Sequence, residues 1–256
     1  MRASIGSLLL VLGLAGPASA QGLVGASPHQ PPTDDKTGTN PLNLQHQVIV
    51  ATTYVTLERF HLNETTYRHV VPILHRRVAL SAGLPLVVGN LTGRRETGLG
   101  DVSANVEWTP WLSPRRGLLV GMRATIDTAT VQEFGLGVHT LMPYVQVVFQ
   151  PATGTILAPF LSYRTGMGGE AFATEVEDTL VGLYGVWRPT SRLWLATQPQ
   201  VVFDAARAST YGELSAEVGY QWFSRLGAYV RPGVGVGADG SKPYAWGLTA
   251  GIRVIP

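Results

Sequence analysis

The sequence predicts an all-β fold, a transmembrane antiparallel up-and-down β-barrel of about twelve strands. Three observations carry that expectation. The last stretch alternates two kinds of side chain, the connections alternate in length, and no later apolar run is long enough for a spanning helix. In the last stretch, Tyr244, Trp246, Leu248, Ala250, Ile252 and Val254 form one set. Ala245, Gly247, Thr249, Gly251 and Arg253 form the other. A period of two means a strand with two different faces. Its length fits a tilted strand crossing a bilayer, about 9–11 residues. The apolar face is expected on lipid and the small, polar face on the lumen.

Taken in order, the chain opens with Arg2, an apolar run over Leu8–Leu14 and the small residues Ala18-Ser19-Ala20. Residues 1–20 therefore read as a cleavable secretory signal, with a run too short to span a membrane. Residues 21–45 are polar and broken by Pro28, Pro31, Pro32 and Pro41. They show no helix or strand period. Two readings stand, a flexible periplasmic tail or a plug folded into the barrel mouth. The barrel is expected over residues 46–256.

Alternation predicts strands near His46–Leu57, Thr66–His75, Arg77–Val88, Gly100–Trp111, Gly117–Asp127 and Val138–Gln150. Six more follow near Gly154–Thr165, Glu177–Arg188, Arg192–Asp204, Tyr211–Ser224, Leu226–Gly237 and Pro243–Ile255. Turns after the even-numbered strands are short. Most connections after the odd-numbered ones are longer, including Glu58–Thr65, Gly89–Leu99, Thr128–Gly137, Gly166–Val176 and Ala205–Thr210. Short turns on one rim and longer loops on the other is the outer-membrane pattern, with the turns in the periplasm. Trp108, Trp111, Trp187, Trp194 and Trp222 fall near the short-turn rim. Trp246, Tyr163, Phe203, Tyr211 and Tyr244 fall near the long-loop rim. Amphipathic rings favour a membrane interface. Against the pattern, Pro72, Pro85, Pro143, Pro159, Pro199 and Pro232 lie inside predicted strands, where each removes a ladder donor. They are expected at bulges, strand ends or register shifts.

Composition narrows the function. Charged residues make up 14% of the chain and the net charge is +2, so no basic patch for nucleic acid is expected. Cysteine is absent, so disulfides and lipid attachment are excluded. Gly135-Leu136-Gly137 and Gly166-Met167-Gly168-Gly169 lack the Gly-Lys-Ser/Thr of a phosphate loop. The histidines, His29, His46, His61, His69, His75 and His139, show no helix-based metal spacing, and no cofactor or metal is expected. A hydrolase would need a serine beside a histidine. His139-Thr140 has none next to it in sequence, which leaves a serine on a neighbouring strand, such as Ser162, as the alternative.

Parity places Asn105, Glu107, Arg123, Gln146, Arg164, Glu217, Gln221, Arg231 and Arg253 in the lumen. They are expected to form a mutually paired network or a selectivity ladder lining a pore. Gly98, Gly100 and Asp101 read as a loop re-entering a strand, the glycines permitting the bend and Asp101 accepting from backbone N–H groups. Arg94 and Arg95, in an outer loop, are solvated charges or grips for lipopolysaccharide phosphates.

Val71-Pro72-Ile73-Leu74, Val78 through Leu86 and Thr97-Gly98-Leu99-Gly100-Asp101-Val102 together resemble the "MetA-pathway of phenol degradation" family of transporter-like outer-membrane barrels. More remotely, that family resembles hydrophobic-compound channels typified by the long-chain fatty acid transporter. The likeness covers about residues 70–112. It implies an outer-membrane barrel passing small hydrophobic or aromatic solutes and supplies no catalytic residues. One departure is that this sequence ends Val254-Ile255-Pro256, where such barrels end on an aromatic residue. The expected function is passive solute passage. The alternatives are a structural barrel with a blocked lumen and an outer-membrane hydrolase. Expected partners are outer-membrane lipid, lipopolysaccharide, a small hydrophobic solute and the barrel-assembly machinery.

Overall fold

The computed structural model describes residues 37–57, 60–91, 93–169, 175–237 and 244–256. The signal over 1–20 and the first part of the 21–45 segment lie outside the described residues. From Gln47 onward the chain runs β1 (Gln47–Leu57), β2 (Phe60–Ile73), β3 (Val78–Gly89), β4 (Glu96–Leu99), β5 (Val102–Ser113), β6 (Arg116–Ile126) and β7 (Val138–Ala152). It continues through β8 (Thr155–Gly169), β9 (Glu177–Trp187), β10 (Leu193–Asp204), β11 (Ser209–Phe223), β12 (Leu226–Val236) and β13 (Trp246–Val254).

All pairings are antiparallel, and β1 pairs with β13 as well as β2, so the sheet closes on itself. Short β4 continues the line of β5. Strand β3 pairs with β4 from Leu86↔Leu99 to Gly89↔Glu96, and with β5 from Val78↔Trp108 to Gly83↔Ser103. Between those two runs, Gly100, Asp101 and Val102 stand opposite Leu84 and Pro85. That extra residue is a bulge. The wall therefore has twelve strand positions, as the alternation predicts.

Alternation along each strand separates wall from interior. In β13, Trp246, Leu248, Ala250, Ile252 and Val254 point out, while Gly247, Gly251 and Arg253 are buried inside. The same rule puts Leu80, Leu84, Leu86, Met122, Leu161, Val181, Leu214, Val218 and Val230 on the outer surface. An apolar belt that encircles the molecule far exceeds the few hundred Å² a water-soluble surface tolerates. It is the surface of a membrane-spanning barrel, which pairs every backbone group between neighbours.

The proline objection resolves in the register. Each strand residue directs its N–H and C=O to one neighbour. Pro72, Pro85, Pro143, Pro159, Pro199 and Pro232 are each registered with a partner on one side. On the other side the register skips them or the neighbouring strand has ended. The missing donors thus fall in gaps of the ladder.

Several expectations need correction. Strand β2 starts at Phe60, not Thr66, so residues 60–65 of the expected Glu58–Thr65 loop are strand. The Gly89–Leu99 connection contains β4, β8 runs on to Gly169, and the β10–β11 turn shrinks to 205–208. The rims still differ. Turns at 114–115, 153–154 and 224–225 lie on one end, and the connection at 127–137 lies on the other. Trp194 is fully buried inside, and Tyr211 also points inward. Both were expected in an interfacial belt. The other five tryptophans face out.

Candidate functional site

The interior is the site, and strand parity builds it. Asn105, Glu107, Gln146, Arg164, Glu217, Gln221 and Arg253 are buried inside, and Arg123 and Arg231 are partly buried there. Cross-strand register then decides which of them meet. Arg164 and Asp178 are directly opposite on β8 and β9, and the guanidinium donates from Nε to Asp178 Oδ2 at 2.9 Å and again from Nη2. Arg231 donates from Nε and Nη2 to Glu217 Oε2 at 3.0 and 2.6 Å. Trp194 Nε1 donates to the other oxygen of Glu217 at 2.6 Å. Tyr144 donates to Glu107 Oε1 at 2.7 Å, and Asn105 Nδ2 donates to the Tyr144 hydroxyl at 3.1 Å. Gln146 Nε2 reaches the Ala158 carbonyl at 3.4 Å. Gln221 is buried beside Gly227. Arg253 lies near the rings of Trp194 and Tyr229 at 5.7 and 5.4 Å.

Small residues make room for this layer. A Cβ at Gly219 would sit 2.0 Å from the Trp194 ring, and one at Gly121 would sit 2.2 Å from Tyr144. Inward glycines on one strand thus let inward aromatics from the next lie against the wall.

Two segments close the barrel. At the short-turn end, residues 37–44, just before β1, are buried inside. Leu42 (1% exposed) packs with Val148, Ile156, Ala158, Val186 and Ala196 from β7 to β10. Leu44 (0%) packs with Val70 and Ala79 from β2 and β3. Arg253 Nη1 donates to the Thr37 carbonyl at 2.6 Å, and the Tyr184 hydroxyl donates to that of Thr39 at 3.3 Å. These contacts come from opposite walls, so the segment crosses the lumen.

At the long-loop end, the 127–137 connection folds inward. Phe134 (1% exposed) sits in a cluster with Val55, Leu62, Val87 and Leu91, with Phe60 and Tyr244 against it. The bulge at Gly100-Asp101 holds this loop. Asp101 Oδ2 accepts from Leu136 N at 2.7 Å. Its Oδ1 accepts from Thr128 N and Ala129 N at 3.2 and 3.3 Å. Leu99 and Thr130 exchange two further bonds at 2.9 and 3.1 Å. A Cβ on Gly98 would collide with Thr130 at 2.4 Å, so the loop needs that glycine for its close approach.

His139 and Ser162 do not meet. His139 faces out and accepts from Asp127 N at 3.0 Å, whereas Ser162 is buried inside. Sequence parity found the nine lumen residues but missed their partners Tyr144, Asp178 and Trp194. The Arg164–Asp178 opposition across β8 and β9 and the Gly121–Tyr144 adjacency become informative only once register is known. Phe134 had one visible signal, as the lone aromatic in a polar loop.

Neither a protein-family model nor a curated protein matches the sequence. Solved structures do match in shape. The COG4313 outer membrane channel from Pseudomonas putida F1 aligns with a TM-score of 0.70 at 11% identity, over 90% of this chain and 99% of that one. The NanC porin aligns at 0.60 and 12% identity, over 82% and 99%. The CymD monoaromatic hydrocarbon channel aligns at 0.50 and 9% identity, over 93% and 97%. At these identities the likeness establishes the fold.

Proposed function

We propose that this chain is an outer-membrane channel for passive passage of small solutes, delivered to that membrane by the signal over residues 1–20. One observation carries the reading. The wall is apolar outside and polar inside, and the interior is closed by two inserted segments rather than filled by a continuous dry core. A barrel serving only as an anchor needs no such lining. The outward belt suits outer-membrane lipid. The likeness in shape to channels and porins supports the same reading.

The solutes we assign are small hydrophobic or aromatic compounds. The support is the resemblance of residues 70–112 to transporter-like barrels and the shape shared with the CymD monoaromatic hydrocarbon channel. A second reading, a barrel with a blocked lumen, is favoured by residues 37–44 lying across the short-turn end. Liposome swelling separates the two. The full chain should admit small solutes faster than protein-free liposomes do. Equal rates, with the barrel shown to be inserted and folded, would leave the blocked barrel standing.

A further inference from the structure

Between the Phe134 lid and the lumen network lies a cavity of about 100 Å³. One wall is apolar, from Phe134, Leu136 and Pro85. The rest of the lining is polar and includes Arg68, Arg123 and Asn105 together with the carboxyl groups of Glu64 and Asp101. A dry cavity of about 150 Å³ accepts a benzene-sized guest, so this one suits a solute of roughly four to six heavy atoms.

The arginines set its chemistry. Arg164 is paired with Asp178 and Arg231 with Glu217, while Arg253 donates to Thr37 and Arg68 to Ser81. Among the described residues, Arg123 alone of the lumen arginines makes no hydrogen bond or ion pair in the protein. Glu107 lies close enough to act on Arg123 electrostatically, but no nearby carboxylate among the described residues is bonded to it. Asp101 is occupied by three backbone N–H groups, Glu64 Oε1 accepts from Thr66 at 2.6 Å, and Glu107 accepts from Tyr144. A guanidinium presents five donors in a flat fork, which matches a carboxylate bidentately. Arg123 is partly buried and lines the cavity, so its unused donors are open to an acceptor on a guest.

We infer that this cavity is a binding site for a small monocarboxylate, its head on Arg123 with Asn105 beside it and its short apolar tail under Phe134. The inference rests on the channel reading only for the site's position along a solute path. Sodium butyrate titrated calorimetrically into the detergent-solubilised full chain tests it. Saturable binding is expected, with 1-butanol binding far more weakly. Arg123→Gln should weaken butyrate at least tenfold, and Arg123→Lys less, because lysine keeps the charge without the fork. Arg123 makes no internal bond that folding would miss, and migration of the unheated barrel on gels checks the fold. Phe134→Ala is the second variant and should weaken butyrate more than acetate. No saturable butyrate binding by the folded wild type, or equal affinity in Arg123→Gln, overturns the assignment. Butyrate binding without liposome swelling would keep the site and remove the channel. Swelling without butyrate binding would do the reverse.

Discussion

The two ends of this barrel are closed by different physics. The short-turn end is blocked by residues 37–44, whose Leu42 and Leu44 drop into two apolar pockets on opposite walls. Burial of that kind stabilises by about 1.5–3 kcal/mol per leucine and has no directional requirement. The long-loop end is blocked by one aromatic, Phe134, on a loop tied down by directional bonds that converge on Asp101. A segment held by distributed burial leaves only as a unit. A lid held through one carboxylate can be loosened at a single position.

The two closures lie in series along the same axis, and that is the largest effect to test. Deleting residues 37–45 together with Phe134→Ala should raise single-channel current in planar bilayers several-fold over wild type. Either change alone should raise it little, because the remaining obstruction still limits flow. If the deletion alone gave the full increase, the Phe134 end would not be a barrier.

Stability separates the ends next. Phe134→Ala should cost about 3–5 kcal/mol locally, since the ring fills a cluster built from three strands and two loops. Hydrogen exchange should show the loss at residues 127–137 and leave residues 37–44 protected. Leu42→Ala should cost about 2–5 kcal/mol at the other end. There the exchange should quicken over 37–44 and spare the lid. Exchange that rose at both ends in either variant would mean that the closures are coupled through the lumen network.

The same contrast explains what the sequence could reveal. Within the hydrocarbon zone, apolar side chains point out and polar ones in, so parity alone found the nine lumen residues and twelve wall strands. Beyond that zone the rule inverts. In the first turns of β2, His61 and Asn63 face outward toward water while Leu62 packs inward under Phe134. Apolar-out alternation therefore failed over Phe60–Thr65, and the strand start was misplaced. Trp194 misled for a related reason. Its indole found a partner inside, Glu217 on the neighbouring strand β11, two residues from Gly219, which stands opposite Trp194. Pairing in the lumen depends on register, which periodicity within one strand does not carry. Gly98, Gly100 and Asp101 were legible as a backbone device, but their partner lay in the 128–136 segment, more than a strand away. The plug was legible only as an alternative, because proline-broken polar sequence looks the same in solution and inside a barrel.

The smallest effect, and the sharpest test of how the lid is held, is Asp101→Asn. Two consequences oppose each other. The neutral amide escapes the cost of burying a charged carboxylate. It also retains only one acceptor oxygen where the carboxylate used two, Oδ2 for Leu136 and Oδ1 for Thr128 and Ala129. Whichever way the amide turns, its NH₂ meets a backbone N–H, and a donor is left unpaired. An unpaired buried donor costs about 1–3 kcal/mol, which partial relief of the burial cost should bring toward the lower end. Exchange at the Thr128, Ala129 and Leu136 amides should therefore quicken clearly, while exchange over residues 37–44 stays at the wild-type rate. Unchanged protection at all three amides would mean that Phe134 burial alone holds the lid, and the two ends would then be closed in the same way.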